Sequence, residues 1–398
     1  MAAAQCLNLL TYFTMSDPQL HALFQPLQLG SITLKNRVFM SSMTRNRSIP
    51  TNVPNDIMVE YYRQRAAGGA GLIIAEGILI SQQGTEWQNA PGIWSKEQTT
   101  GWKKITDVVH AEGSAIYAQL WHLGRVSHPD APEQVASGSP VYAPSAISAR
   151  GGKFRFLPGV PGYVTPTAIE NPRDIISVFK QAAINAKNAG FDGIEIHAAN
   201  GYLIPQFLDN TSNHRTDEWG GSVENRSRFG LEVLQAVIDV WGADRVGIKL
   251  NPTGGYNDVG MPLEETLHTF NYFISEVDKL KIAYVTLVRY AEFLDPIIDG
   301  SHRAVKHDVI STYAHLLKNA LVFGNAAFTG EEAARYVSEG KLAGVFFGVP
   351  WIAHPDFAKR LQYGKPLDGH LDFTTLYGLE RDMETEKKGY IDYPPAQY

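Results

Sequence analysis

Asn188-Ala-Gly-Phe-Asp-Gly-Ile-Glu-Ile-His-Ala-Ala-Asn-Gly-Tyr202 is the stretch from which the fold of this chain is read. Its first three residues end a helix in a glycine turn. Residues 190–197 then alternate, with Ile194 and Ile196 on one face and Glu195 and His197 on the other, which is the pattern of a strand. A polar loop follows at once. Working outward, the same helix-then-strand order recurs along the chain. Strands are expected at 37–40, 71–76, 115–121, 190–197, 246–250, 282–288, 321–324 and 344–348. Helices are expected at 55–67, 95–112, 171–188, 222–241, 262–280, 302–319, 330–340 and 355–362. Eight strands, each followed by a helix, predict an α/β chain closed into a (β/α)8 TIM barrel.

A barrel of this kind needs about 250 residues, so the 398 here must include additions. Residues of about 123–171 are rich in Gly, Pro and Ser, with short β-like pieces at 140–143 and 162–165. That is too long for an ordinary strand-to-helix loop and predicts an inserted capping segment over the mouth. Residues 24–34 alternate well enough for an N-terminal hairpin under the barrel. Residues 1–20 read as a poorly ordered tail, with Met15 an alternative start to Met1, and 21–398 as one domain ending in a C-terminal arm.

The 44% hydrophobic content exceeds what a disordered chain carries, and a formal charge of -6 has the wrong sign for a nucleic-acid groove. With Cys6 as its one cysteine the chain cannot form an internal disulfide, a cysteine zinc site or an iron–sulfur cluster of its own. A cytoplasmic location is expected. No apolar run approaches the roughly 20 residues of a membrane helix.

Barrel enzymes carry their chemistry on the loops after the strands. Reading those positions gives Ser42, Met43 and Thr44 after the first strand, Gly77 after the second, Gln119, Trp121 and His122 in and after the third, and Glu195, His197, Asn200 and Tyr202 around the fourth. His197 and Asn200 offer N–H donors that can be aimed at one oxygen, as enolate-forming chemistry requires. Tyr202 keeps its proton at neutral pH and can act as a general acid. Lys249, flanked by Ile248 and Leu250, is expected to face an anionic ligand or to pair with a carboxylate such as Glu195. Gly324 and Asn325 after the seventh strand, with Gly348 and Val349 after the eighth, stand where this fold places a phosphate. A metal site built from His122, Glu195 and His197 is a competing reading of the same residues.

Longer runs carry a resemblance. Leu23-Phe-Gln-Pro-Leu-Gln-Leu-Gly30, Asn36-Arg-Val38, Met43-Thr-Arg45, Ala75-Glu-Gly77, Asn89-Ala-Pro-Gly-Ile-Trp94 and Gln119-Leu-Trp-His-Leu-Gly-Arg125 are joined by Ile196-His-Ala-Ala-Asn-Gly-Tyr-Leu203, Gln206-Phe-Leu-Asp209 and Asn213-His-Arg-Thr-Asp-Glu-Trp-Gly-Gly-Ser-Val-Glu-Asn-Arg226. With these runs the chain resembles the Old Yellow Enzyme family of FMN-dependent ene-reductases from about Leu23 to Pro394. The resemblance implies NADPH or NADH as hydride donor, activated alkenes as substrates and a monomer or homodimer. It implies that His197 and Asn200 bind the substrate oxygen and Tyr202 protonates the α-carbon. Thr44, Gln119 and Lys249 would hold the flavin, with Ser42, Met43 and Gly77 in contact. Trp121, Tyr256 and Tyr377 would shape the substrate pocket. A flavin-dependent isomerase or a ligand-binding member of the fold is the alternative.

Three departures accompany the resemblance. Lys249 stands where the family usually has Arg, Ser41-Ser42 replaces a small-Pro pair, and Val349 replaces the Arg that many members place on the FMN phosphate. Backbone N–H groups of Gly324, Asn325, Gly348 and Val349 are then the expected phosphate hold.

Overall fold

A computed structural model describes residues 18–49, 52–85, 87–151, 162–378 and 382–398. Among these, eight parallel strands close a barrel: β1 Val38–Met40, β2 Leu72–Ile74, β3 Ala115–Trp121, β4 Gly193–Ala198, β5 Val246–Leu250, β6 Tyr284–Val288, β7 Leu321–Asn325 and β8 Gly344–Phe347. Each pairs with its sequence neighbours, and β8 returns to β1 through Val345 opposite Val38 and Phe346 opposite Phe39. Around them run α1 Asp56–Ala67, α2 Lys96–Ala111, α3 Pro172–Asn188, α4 Val223–Trp241, α5 Leu263–Lys279, α6 Val309–Tyr313, α7 Gly330–Ser338 and α8 Phe357–Gln362. Local chemistry sets several starts. Ser95 and Gln98 form a reciprocal cap on α2, and Asn171 accepts from Arg173 N ahead of a proline at the start of α3.

The lower barrel is filled by aromatic rings. Phe39, Tyr117, Tyr284, Phe323 and Phe346 interlock with ring centroids 4.8–6.2 Å apart. Glycine makes room for them: a Cβ at Gly193 would meet Tyr117 at 2.4 Å, and one at Gly247 would meet Tyr284 at 2.2 Å. Large residues thus face small ones across the barrel, as close packing requires. The antiparallel hairpin Leu27–Leu29 with Ile32–Leu34 closes this end, with Leu27, Leu29 and Leu34 in the same cluster.

Three expectations need revising. The helix expected at 302–319 is short: Ser301–His302 pairs antiparallel with Ile297–Ile298, and α6 begins after Asp308, whose side chain accepts from Ser311 N. The second strand of the cap is Thr167–Ala168, parallel to Tyr142–Ala143, rather than 162–165. Most of the tail expected at 1–20 lies outside the described residues, but Pro18–Phe24 forms a 3-10 helix with Leu20 and Leu23 buried against the core.

One tie between the cap and the barrel is a carboxylate. Asp258, in the loop after β5, accepts from the Arg150 backbone N–H at 2.7 Å and from the guanidiniums of Arg150 at 2.9 Å and Arg303 at 2.8 Å. The C-terminal arm is held from the loop after β1. Arg45 donates to the carbonyls of Leu376 and Gly389, and Arg47 to those of Thr375 and Glu386. Both arginines are fully buried. Among the described residues no helix is long and apolar enough to cross a membrane.

Candidate active site

The upper ends of the strands open into a cavity of about 700 Å³ that continues into a second of about 300 Å³ between the loops after β7 and β8. Ser42, Met43, Thr44, Gly77, Gln119, Trp121, His197, Asn200, Tyr202, Lys249, Tyr256, Tyr377 and Val349 all line the larger one. Asn325, Gly348 and Val349 line the smaller. Gly324 does not. It faces outward in β7, where a Cβ would strike Leu342 and Phe328, and strand alternation turns its neighbour Asn325 inward instead.

A polar layer lies just above the aromatic one. Ser42 Oγ donates to Gln119 Oε1 at 2.8 Å, and Gln119 Nε2 donates to Glu195 Oε1 at 2.7 Å. Those two bonds fix the amide and leave its second N–H for the cavity. The other carboxylate oxygen of Glu195 accepts from Tyr284 and Thr286. Lys249 Nζ donates to Ser41 Oγ at 3.2 Å. Burial pushes the Lys249 ammonium down while the charge of Glu195 opposes the shift. Burial likewise pushes the Glu195 carboxyl up, against the pull of Lys249 and its three hydrogen bonds. Both serines of the unusual pair are therefore tied into this layer.

The geometry above β4 follows from two consecutive left-handed residues. Asn200, at φ 59°, and Gly201, at φ 71°, reverse the chain sharply after the strand, and Asn is among the few side chains that accept this conformation. The turn returns Tyr202 over the strand end, where its ring meets His197 edge-on at 4.8 Å and Trp121 edge-on at 5.0 Å. His197 Nδ1 accepts from Ala199 N at 3.4 Å. Burial and then Lys249 push the His197 imidazolium well below the usual range. A neutral ring that accepts at Nδ1 carries its proton on Nε2, at the opposite edge, and so serves as a donor. Asn200 Oδ1 and Trp121 Nε1 are buried without a hydrogen-bond partner among the described residues. Buried polar atoms of that kind mark a place where a ligand completes the network.

The metal reading fails on geometry. Both nitrogens of His122 are engaged, with Gln83 and with Gly124 N, and both oxygens of Glu195 are taken by the polar layer. Burial holds His122 neutral, down to about 3. Among the described residues no group of three metal-binding side chains converges.

Sequence reasoning missed part of the wall. Trp87, Phe293, Leu294, Ile352, Phe373 and Leu376 also line the larger cavity. The Trp87 and Tyr377 rings meet at a tilt, with centroids 4.7 Å apart. Phe373, Leu376 and Tyr377 reach the mouth because Arg45 and Arg47 hold the arm by its carbonyls. In the sequence the signal is Arg45 and Arg47, two arginines close after Thr44.

Comparison with known proteins agrees with this geometry. The family model for NADH:flavin oxidoreductase / NADH oxidase matches residues 22–368. A "Probable inactive reductase easA" of Epichloe festucae var. lolii is 38% identical over 94% of this chain and 95% of that protein. "Enoate reductase 1" of Kluyveromyces lactis is 36% identical over 94% of this chain and 93% of its own length. A solved structure of an old yellow enzyme homologue from Zymomonas mobilis, 34% identical, superposes with a TM-score of 0.83 over 94% of this chain and 99% of that one. The chain is thus a member of the NADH:flavin oxidoreductase / NADH oxidase family, an Old Yellow Enzyme type oxidoreductase on a (β/α)8 barrel.

Proposed function

We propose that this oxidoreductase reduces the activated C=C bond of α,β-unsaturated carbonyl or nitro compounds at the expense of NADPH or NADH, with FMN as its resident cofactor. The observation that carries the reading is the set of polar groups gathered above β4: His197, held neutral by burial, the Asn200 amide, whose oxygen is buried without a partner among the described residues, and the Tyr202 hydroxyl.

The residues present suit a flavin ring. Gln119 has one N–H to spare, Lys249 supplies a positive charge at the floor of the mouth, and Ser42, Met43, Thr44 and Gly77 form the wall beside them. Bound FMN supplies the hydride chemistry, taking two electrons from the nicotinamide and delivering them to the alkene. Lys249 offsets negative charge on the ring's polar edge. His197 Nε2–H and the Asn200 amide donate to the carbonyl or nitro oxygen, which polarises the alkene and draws negative charge onto that oxygen as hydride reaches the β-carbon. Tyr202 passes its phenolic proton to the α-carbon, completing addition of one hydride and one proton. Trp121, Tyr256 and Tyr377 wall the alkene off from water.

A second reading keeps the flavin but assigns the pocket to isomerisation or to ligand binding, and the relative described as an inactive reductase gives it a basis. Two measurements decide. The purified protein should be yellow and release FMN by mass, and it should oxidise NAD(P)H faster when cyclohexenone or maleimide is added. Colourless protein would remove the flavin reading. Yellow protein that leaves both alkenes untouched would favour the second reading.

A further inference from the structure

We infer that the phosphate end of the flavin pocket is uncharged in this chain, so that the protein binds riboflavin about as tightly as FMN, with position 349 setting that discrimination. The inference rests on the flavin reading above. The smaller cavity is bounded by Asn325, Ala326, Ala327 and Phe328 on one side and by Gly348 and Val349 on the other. Among the described residues that line it, Lys249 is the one cation, and it sits at the inner end with its Nζ on Ser41. Val349 is 52% exposed and contributes only methyl groups.

A basic side chain on the adjoining loop after β6 is already committed. Arg289 follows β6 and does not line the cavity. Its Nε donates to Ala326 O at 2.7 Å and its two Nη atoms grip the Glu332 carboxylate, both at 2.7 Å, while Nη2 also donates to Ala327 O. The guanidinium lies 3.7 Å from the Phe328 ring centroid. A bidentate carboxylate pair of this kind is among the strongest that arginine makes, and releasing it for a phosphate would leave Glu332 and two carbonyls without their donor.

That clamp explains the backbone. Ala326 at φ 77° and Ala327 at φ 52° occupy the left-handed region, which is costly for alanine. The turn aims both carbonyls at Arg289. In trans peptides the N–H lies opposite the carbonyl, so the N–H groups of Ala327 and Phe328 point away from Arg289. Successive N–H groups in a turn form a concavity suited to an anion, but with partial charges alone. A dianionic phosphate is held there by partial charges alone, without the charge-assisted pair that an arginine would add.

Full-length protein freed of flavin is titrated with FMN and with riboflavin, following quenching of flavin fluorescence. The two dissociation constants should agree within about tenfold, and V349R should tighten FMN about tenfold or more by restoring an arginine to phosphate pair. Riboflavin, which lacks the phosphate, is the control, and the readout is the ratio of the two dissociation constants in V349R against wild type. A wild-type preference for FMN beyond tenfold overturns the inference, as does a V349R variant that tightens both flavins alike. If neither flavin is quenched, the flavin reading itself falls.

Discussion

Replacing Tyr202 with Phe separates chemistry from architecture. The Tyr202 ring is 9% exposed and touches Trp121 and His197 edge-on through carbon, so phenylalanine keeps those contacts. What disappears is the phenolic proton and one hydrogen-bonding group, a stability cost of about 1 kcal/mol. General acid catalysis contributes about 10²- to 10⁴-fold, so the alkene step should slow by that factor, roughly 3–5 kcal/mol in barrier. Reduction of the bound flavin by NADPH takes no proton from Tyr202 and should stay within about twofold of wild type, since a change that leaves a transition state's contacts intact leaves its rate. Anaerobic stopped-flow absorbance resolves the two half-reactions. An unchanged alkene step would refute the proton-donor role. An equal fall in both steps would show that the hydroxyl organises the site and does not act within one reaction.

Other perturbations read different parts of the account. His122 is neutral when folded, down to about 3, whereas an unfolded histidine titrates near 6.5. The unfolded state therefore binds the extra proton, and stability is present above that pH and lost as pH falls, at about 1.4 kcal/mol per unit below pH 6. H122N should flatten that slope in urea unfolding between pH 4 and 7, and superimposable profiles would contradict it. D258A removes the partner of the largely buried Arg303, while the half-exposed Arg150 keeps Asp299, and should cost about 2 kcal/mol, visible as a lower urea midpoint; an unchanged midpoint would mean the cap is held by its other contacts. In G77A the new methyl would lie 2.5 Å from Trp121 Cε3, pushing the indole into the pocket. KM for the alkene should rise more than kcat falls, and equal changes would place the strain in the reacting groups. K249R, which keeps the charge, should retain flavin reduction by NADPH, while K249M should slow it. Equal rates in both variants would remove Lys249 from the charge-offsetting role.

The barrel was legible because its strands obey alternation and its helices end in glycine turns that a sequence displays, as at Asn188-Ala189-Gly190. Glu195 and His197 could be assigned inward for the same reason. Gly324 misled because a glycine after a strand is ambiguous between close ligand approach and close packing, and only the alternation past it shows that Asn325 turns in. The helix expected at 302–319 was drawn too long because its polar start looked amphipathic. The Asp308 cap, three residues ahead of Ser311, marked the true beginning. Trp87, Phe293 and Phe373 were invisible as site residues because long-range tethers place them, and the clamp of Arg289 on Glu332 joins residues 43 apart.

We propose that one pocket passes hydride from nicotinamide through flavin to an alkene. The most direct test reduces the purified protein anaerobically with one equivalent of NADPH, follows loss of the visible flavin band, and then adds 2-cyclohexenone. The band should return in full, with one cyclohexanone formed for each NADPH consumed. A band that bleaches and stays bleached in the presence of the enone would contradict it.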